Sequence, residues 1–180
     1  MRLLAATVAL PILVAAAPAH ADGYIGAAIG TGPSLGNNQF TAEQAGRTYR
    51  ALLGYSFQLP FGRLSLEGEA NRFNLALDSY PYHSTMLGAG LKYSVPIGNG
   101  FEVFGRGGYG HTWVGDDDPS APGANGDGDG YYLGAGFEYR LSICSFFVDY
   151  ERQSVAIQTL ESGIYDQSAG SFGLGATLSL

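Results

Sequence analysis

The sequence predicts an all-β chain: an eight-stranded antiparallel up-and-down transmembrane β-barrel with short periplasmic turns and long extracellular loops. Three observations carry this. Apolar residues alternate with polar or small ones at period two in eight segments. The connections alternate between tight and long. The composition is rich in glycine (28), tyrosine (12) and phenylalanine (10), yet only 14% charged. Glycine and aromatics together suit strands better than helices. A single lysine, Lys92, is far fewer than a water-facing surface carries.

Residues 1–21 are set apart as a signal peptide. Arg2 supplies a basic start, Leu3 to Ala17 an apolar run, and Ala19-His20-Ala21 a small-residue cleavage site. The apolar run falls short of the roughly 20 residues a spanning helix needs. The barrel domain is expected over residues 22–180 as one domain, exported and placed in the cell outer membrane of a Gram-negative envelope. Sixteen acidic residues outnumber nine basic ones, a net charge of −7 at neutral pH. That balance argues against a nucleic-acid partner. Cys144 has no partner for an intrachain disulfide.

The first strand, Gly23 to Thr31, places Ile25, Ala27 and Ile29 on one face and Tyr24, Gly26 and Ala28 on the other. The second, Arg47 to Leu59, sets Tyr49, Leu53, Tyr55 and Phe57 against Thr48, Arg50, Leu52 and Ser56. After the Pro60-Phe61-Gly62 turn, Leu64, Leu66, Ala70 and Arg72 oppose Ser65, Glu67, Glu69 and Asn71. The fourth, Thr85 to Val95, opposes Leu87, Leu91 and Tyr93 to Lys92 and Ser94. Beyond Pro96 to Gly100, Val103, Tyr109, His111 and Trp113 oppose Glu102, Phe104, Arg106 and Thr112. The sixth, Tyr131 to Leu141, pairs Leu133, Phe137 and Tyr139 against Glu138 and Arg140. The seventh, Ser145 to Ser154, opposes Phe146, Val148, Tyr150 and Arg152 to Phe147, Asp149, Glu151 and Gln153. The last, Ser168 to Leu180, opposes Phe172, Leu174 and Leu178 to Ser171, Gly173 and Thr177. Tight joins follow strands two, four and six, so both termini are expected in the periplasm.

Alternation alone does not say which face looks inward, and a soluble barrel with an oily cavity has the same period. The polar face carries Glu67, Glu69, Glu102, Glu138, Asp149 and Glu151 with Arg50, Lys92, Arg106 and Arg140, spaced by glycine. Mixed charges beside glycine suit a crowded interior in which each ion finds a partner. Aromatics on the apolar face gather near both strand ends, as at the two interfaces of a bilayer. Arg47, Arg72 and Arg152 share that apolar face but are expected at the strand ends nearest the long loops. There the guanidinium fork suits lipopolysaccharide phosphates, or snorkels among headgroups.

The chain thus resembles the small outer-membrane β-barrel family, which includes the outer-membrane protein A membrane domain and opacity-like surface antigens. The resemblance rests on the signal peptide, on Leu64 to Glu69 and Gly134 to Tyr139, and on the alternating end Ser171 to Leu180. It implies a porin-like superfamily member with a structural or surface-antigen role and no cofactor. It also implies assembly by the barrel-assembly machinery, partners in outer-membrane lipid and lipopolysaccharide, and a monomer. Such barrels usually end on an aromatic residue, whereas this chain ends on Leu180, and no peptidoglycan-binding domain is expected to follow.

Other readings compete at particular residues. The lumen ions form either structural pairs or the gate of a narrow porin-like channel. The third long loop gathers Asp116, Asp117, Asp118, Asp127 and Asp129 on glycine-rich chain, a candidate calcium site beside the plainer reading of a solvated acidic loop. Gly105 to Gly110 matches a dinucleotide pattern, but no helix follows it. Enzymes acting on lipid A need a nucleophilic serine near a histidine. His111 is followed by Thr112-Trp113, and His83 is placed in a loop beside Ser84, so no catalysis is expected. The loops leave an adhesin role open.

Overall fold

The computed structural model describes residues 21–32, 34–35, 46–77, 80–116, 126–159 and 163–180. Eight long strands run in chain order: β1 (Ala21–Thr31), β2 (Gly46–Leu59), β3 (Gly62–Leu77), β4 (Tyr80–Gly98), β5 (Phe101–Asp116), β6 (Gly126–Arg140), β7 (Cys144–Thr159) and β8 (Gly163–Ser179). Each pairs antiparallel with the next. β1 also pairs with β8, from Tyr24↔Ser179 to Gly30↔Gly173, and this closes the barrel and removes every long edge. A two-residue strand, Ser34–Leu35, adds to β8 opposite Gly170 and Ala169.

The turns explain why the tight joins stay tight. At β4–β5 the chain carries positive φ at Gly98, Asn99 and Gly100, conformations that glycine and asparagine adopt at least cost, beside a register shift at Pro96/Gly98. Arg140 N–H donates to Gly100 O at 2.8 Å, and Leu141 N–H donates to Cys144 O at 2.8 Å across the β6–β7 turn.

Burial alternates with the predicted period, as in the inside-outside rhythm along β6 from Tyr131 to Glu138. Leu53 is 62% exposed, Leu133 60% and Leu174 59%, while Arg50 is 3% and Glu138 2% exposed. A water-soluble barrel has the opposite distribution, so the apolar exterior is the face that meets acyl chains.

The ladders run further than the sequence reading placed them. Gly126 to Gly130 is not flexible loop but the start of β6, paired with Val114 to Gly110, because β5 offers backbone partners that outweigh the poor strand propensity of glycine and aspartate. His83 likewise lies within β4, opposite Asn74 and Gly115, rather than in a loop.

Candidate functional site

The interior is built in layers. At the periplasmic mouth, Arg63 Nη2 donates to Glu102 Oε2 at 2.8 Å and to Glu138 Oε1 at 3.3 Å. Lys92 Nζ donates to Glu138 Oε2 at 2.5 Å, and Arg140 Nε lies 3.7 Å from Glu102 Oε1. A polar cavity of about 50 Å³ sits among these groups, lined also by Asp22, Ser56 and Ser145.

Above it an apolar septum crosses the lumen. Leu52, Phe104 and Phe147 form one buried cluster, with the two rings edge to face at 6.2 Å between centroids. Lys92 Nζ stands 4.5 Å from the Phe104 centroid, and the Arg106 guanidinium carbon stands 5.0 Å from that ring and 5.4 Å from Phe147. The septum therefore lies between two cations that its ring faces stabilise.

The central layer is the most deeply buried. Arg50 donates to both oxygens of Asp149, at 2.7 and 2.9 Å, and to Glu151 Oε2 at 2.8 Å. Arg106 lies 3.8 Å from Glu67 Oε2, 3.8 Å from Glu69 Oε2 and 3.4 Å from Asp149 Oδ2. Tyr24 donates its hydroxyl hydrogen to Glu67 Oε1 at 2.5 Å. Asn71 Nδ2 donates to Glu69 at 3.3 Å and to Glu151 at 3.1 Å. Toward the extracellular end come Met86, Tyr132, Phe73, Val114 and Val155, all buried, with a cavity of about 10 Å³.

Interior glycines create the room for these side chains. A Cβ on Gly54 would collide with the Tyr24 ring, and one on Gly88, Gly90 or Gly108 would crowd Tyr132. An eight-stranded barrel has space for side chains only, and removing Cβ atoms is how it admits rings and guanidiniums together.

The structure thus gathers Arg50, Glu67, Glu69, Lys92, Glu102, Arg106, Glu138, Arg140, Asp149 and Glu151 in one lumen, in two networks rather than a single ladder. Sequence reasoning missed Arg63, which joins Glu102 to Glu138. It has the inward parity of Ser65 and Glu67, but it directly follows the turn and lies one residue ahead of the alternating run that starts at Leu64.

Arg47, Arg72 and Arg152 are exposed on the outer face. Their expected position at strand ends is corrected for two of them, since β3 continues from Arg72 to Leu77 and β7 from Arg152 to Thr159. The ladder persists there because the neighbouring strands are equally long. Arg152 Nη2 donates to Ser168 Oγ at 3.1 Å.

Of the candidate calcium ligands, Asp117 and Asp118 lie outside the described residues, as do residues 1–20 of the expected signal peptide. Asp116 ends β5, whereas Asp127 and Asp129 are exposed on β6. These last two face His111, with Nδ1 2.7 Å from Asp129 Oδ1 and Nε2 3.5 Å from Asp127 Oδ2. No cluster that could hold a metal ion occurs among the described residues. On the outer face of β5, the His111 and Trp113 rings stand 4.6 Å apart between centroids, edge to face, and the intervening Thr112 is buried in the lumen.

The barrel is similar to several solved structures. Neisserial surface protein A gives a TM-score of 0.69 at 10% identity, covering 88% of this chain and 98% of that one. Ail, the attachment invasion locus protein of Yersinia pestis, gives 0.58 at 15% identity, covering 89% and 97%. The outer membrane enzyme PagL gives 0.54 at 18% identity, covering 86% and 98%. At such identities the likeness is one of fold. A search of the curated proteins finds no match. Residues 3–178 match the model of the outer membrane protein β-barrel domain, and the chain belongs to that family.

Proposed function

We propose that this outer-membrane barrel is a structural and surface-exposed protein: it reinforces the outer membrane, presents its extracellular loops, and performs no catalysis. The observation that supports this most is the packed lumen. Central side chains from Arg50 to Glu151 are 0–1% exposed, and the aromatic septum separates two small cavities. A lumen filled this way contributes rigidity rather than a passage.

Export follows from the leader at residues 1–21, and the barrel is inserted by the assembly machinery as a monomer. The outer arginines Arg47, Arg72 and Arg152 meet phosphates of lipopolysaccharide, for which guanidinium geometry is suited. The exposed acidic pair Asp127 and Asp129 belongs to the solvated surface beside the headgroups.

Recording the purified barrel in planar bilayers tests this reading. The wild-type protein is expected to give no discrete conductance at any voltage. Stepwise openings would instead establish the narrow gated channel. Ail is by its name an attachment protein, and an adhesin role here predicts that deleting the long loops abolishes cell binding while leaving the barrel folded.

A further inference from the structure

The centre of the lumen holds more negative charge than positive. Among the described residues, the carboxyl groups of Glu67, Glu69, Asp149 and Glu151 meet only the guanidiniums of Arg50 and Arg106 there, and each of these side chains is at most 1% exposed. The two cations do not serve the four acids equally. Arg50 spends its short hydrogen bonds on Asp149 and Glu151, at 2.7–2.9 Å. Glu67 receives the Tyr24 hydroxyl. Glu69 is the least supported: its nearest cationic nitrogens stand 3.8 and 3.9 Å away, and its Oε2 accepts no hydrogen bond. Asn71 holds Glu69 Oε1 and Glu151 Oε1 on one amide nitrogen, so two acids crowd a single neutral donor.

Two carboxylates gathered in a dry interior do not both stay ionised unless each has a close cation, because their repulsion adds to the cost of desolvation. A metal ion would need room for an oxygen shell. Among the described residues, the lumen cavities of about 50 and about 10 Å³ are lined by none of the four acids. A proton needs no such room. Arg106 is a second sign: its side chain is 0% exposed and aimed at Glu67, Glu69 and Asp149, yet its nitrogens make no hydrogen bond. That standoff is expected where a facing acid is neutral.

We propose that the barrel centre is a proton-binding site in which Glu69 carries a proton at neutral pH, with Glu151 as the ionised acid beside it. The groups that face it are Tyr24 from β1, Arg50 from β2, Glu67 and Asn71 from β3 itself, Arg106 from β5, Tyr132 from β6, and Asp149 and Glu151 from β7. β4 and β8 contribute glycine backbone at Gly88 and Gly173. An unfolded glutamate is ionised above about pH 4.3. Above that pH the folded barrel holds a proton that the unfolded chain has released, so its stability falls with rising pH until Glu69 ionises in the folded barrel as well.

Infrared spectroscopy of the full barrel in lipid bilayers at neutral pH tests the proposal. A protonated carboxylic acid carbonyl band is expected in the wild type and in the mouth variant Glu102→Gln, and its loss is expected in Glu69→Gln. A wild type without the band, or a Glu69→Gln barrel that retains it, overturns the proposal. Should Glu69→Gln fail to fold, titration of the wild type decides: the unfolding temperature must fall with rising pH while the band persists and level off where the band fades toward alkaline pH, and an unfolding temperature that is flat while the band persists overturns the site.

Discussion

The two ends of the charged interior use the same residue types with different consequences. At the mouth, Arg63, Lys92, Glu102, Glu138 and Arg140 pair beside a cavity, and their side chains range from 2% to 36% exposed. In the centre, Arg50 and Arg106 meet their acids at 0–1% exposure. Depth rather than residue identity decides what a pair contributes. Water competes for Arg63, Glu102 and Arg140 and screens them, so their loss costs little, whereas Lys92 and Glu138 at the inner side of the mouth are nearly as buried as the centre. A central ion has no such alternative, and removing its partner strands a charge in the barrel.

The contrast can be broken at its deepest point first. Arg50→Ala leaves Asp149 and Glu151 without their closest cation, and a loss of about 3–5 kcal/mol is expected in urea unfolding from lipid vesicles. A loss below about 1 kcal/mol would mean that the central pairs behave like those of the mouth. Next comes Gly54→Ala, whose added Cβ would collide with the Tyr24 side chain. The overpacking is expected to cost about 1–3 kcal/mol, and a double-mutant cycle with Tyr24→Ala should recover most of it as coupling. At the mouth, Arg140→Ala removes only a 3.7 Å contact to Glu102 from a side chain 36% exposed, so less than about 1 kcal/mol is expected, decreasing further with salt. The smallest change in phospholipid alone is expected for Arg47→Ala, Arg72→Ala and Arg152→Ala combined. That variant should lose stability chiefly where lipopolysaccharide is present, read as a difference in heat-modifiable gel mobility.

How much of this was legible in the sequence follows from the range of each interaction. Period-two alternation is local, so the eight strands and the inward face of Arg50, Glu67 or Asp149 could be read directly. Which acid meets which base was not legible, because Arg50 and Asp149 lie 99 residues apart and meet across the lumen through barrel shear. The Tyr24–Glu67 bond was hidden for the same reason, at a separation of 43. Asp127 and Asp129 read as loop because glycine and aspartate are turn formers, and the partner strands β5 and β7 override that preference. Arg72 and Arg152 were misplaced along their strands because ladder ends depend on neighbours, not on the segment itself.

The central claim is that acyl chains surround this barrel while its ions are enclosed. Spin labels at Leu53, Leu66, Leu91, Leu133 and Leu174, introduced one at a time in a Cys144→Ser barrel reconstituted in bilayers, test it directly. All five side chains lie on the outer face, 49–62% exposed. Collision with lipid-dissolved oxygen should dominate over collision with a water-soluble nickel complex at every position. Nickel access exceeding oxygen access along these strands would place water on the outer face and contradict the account.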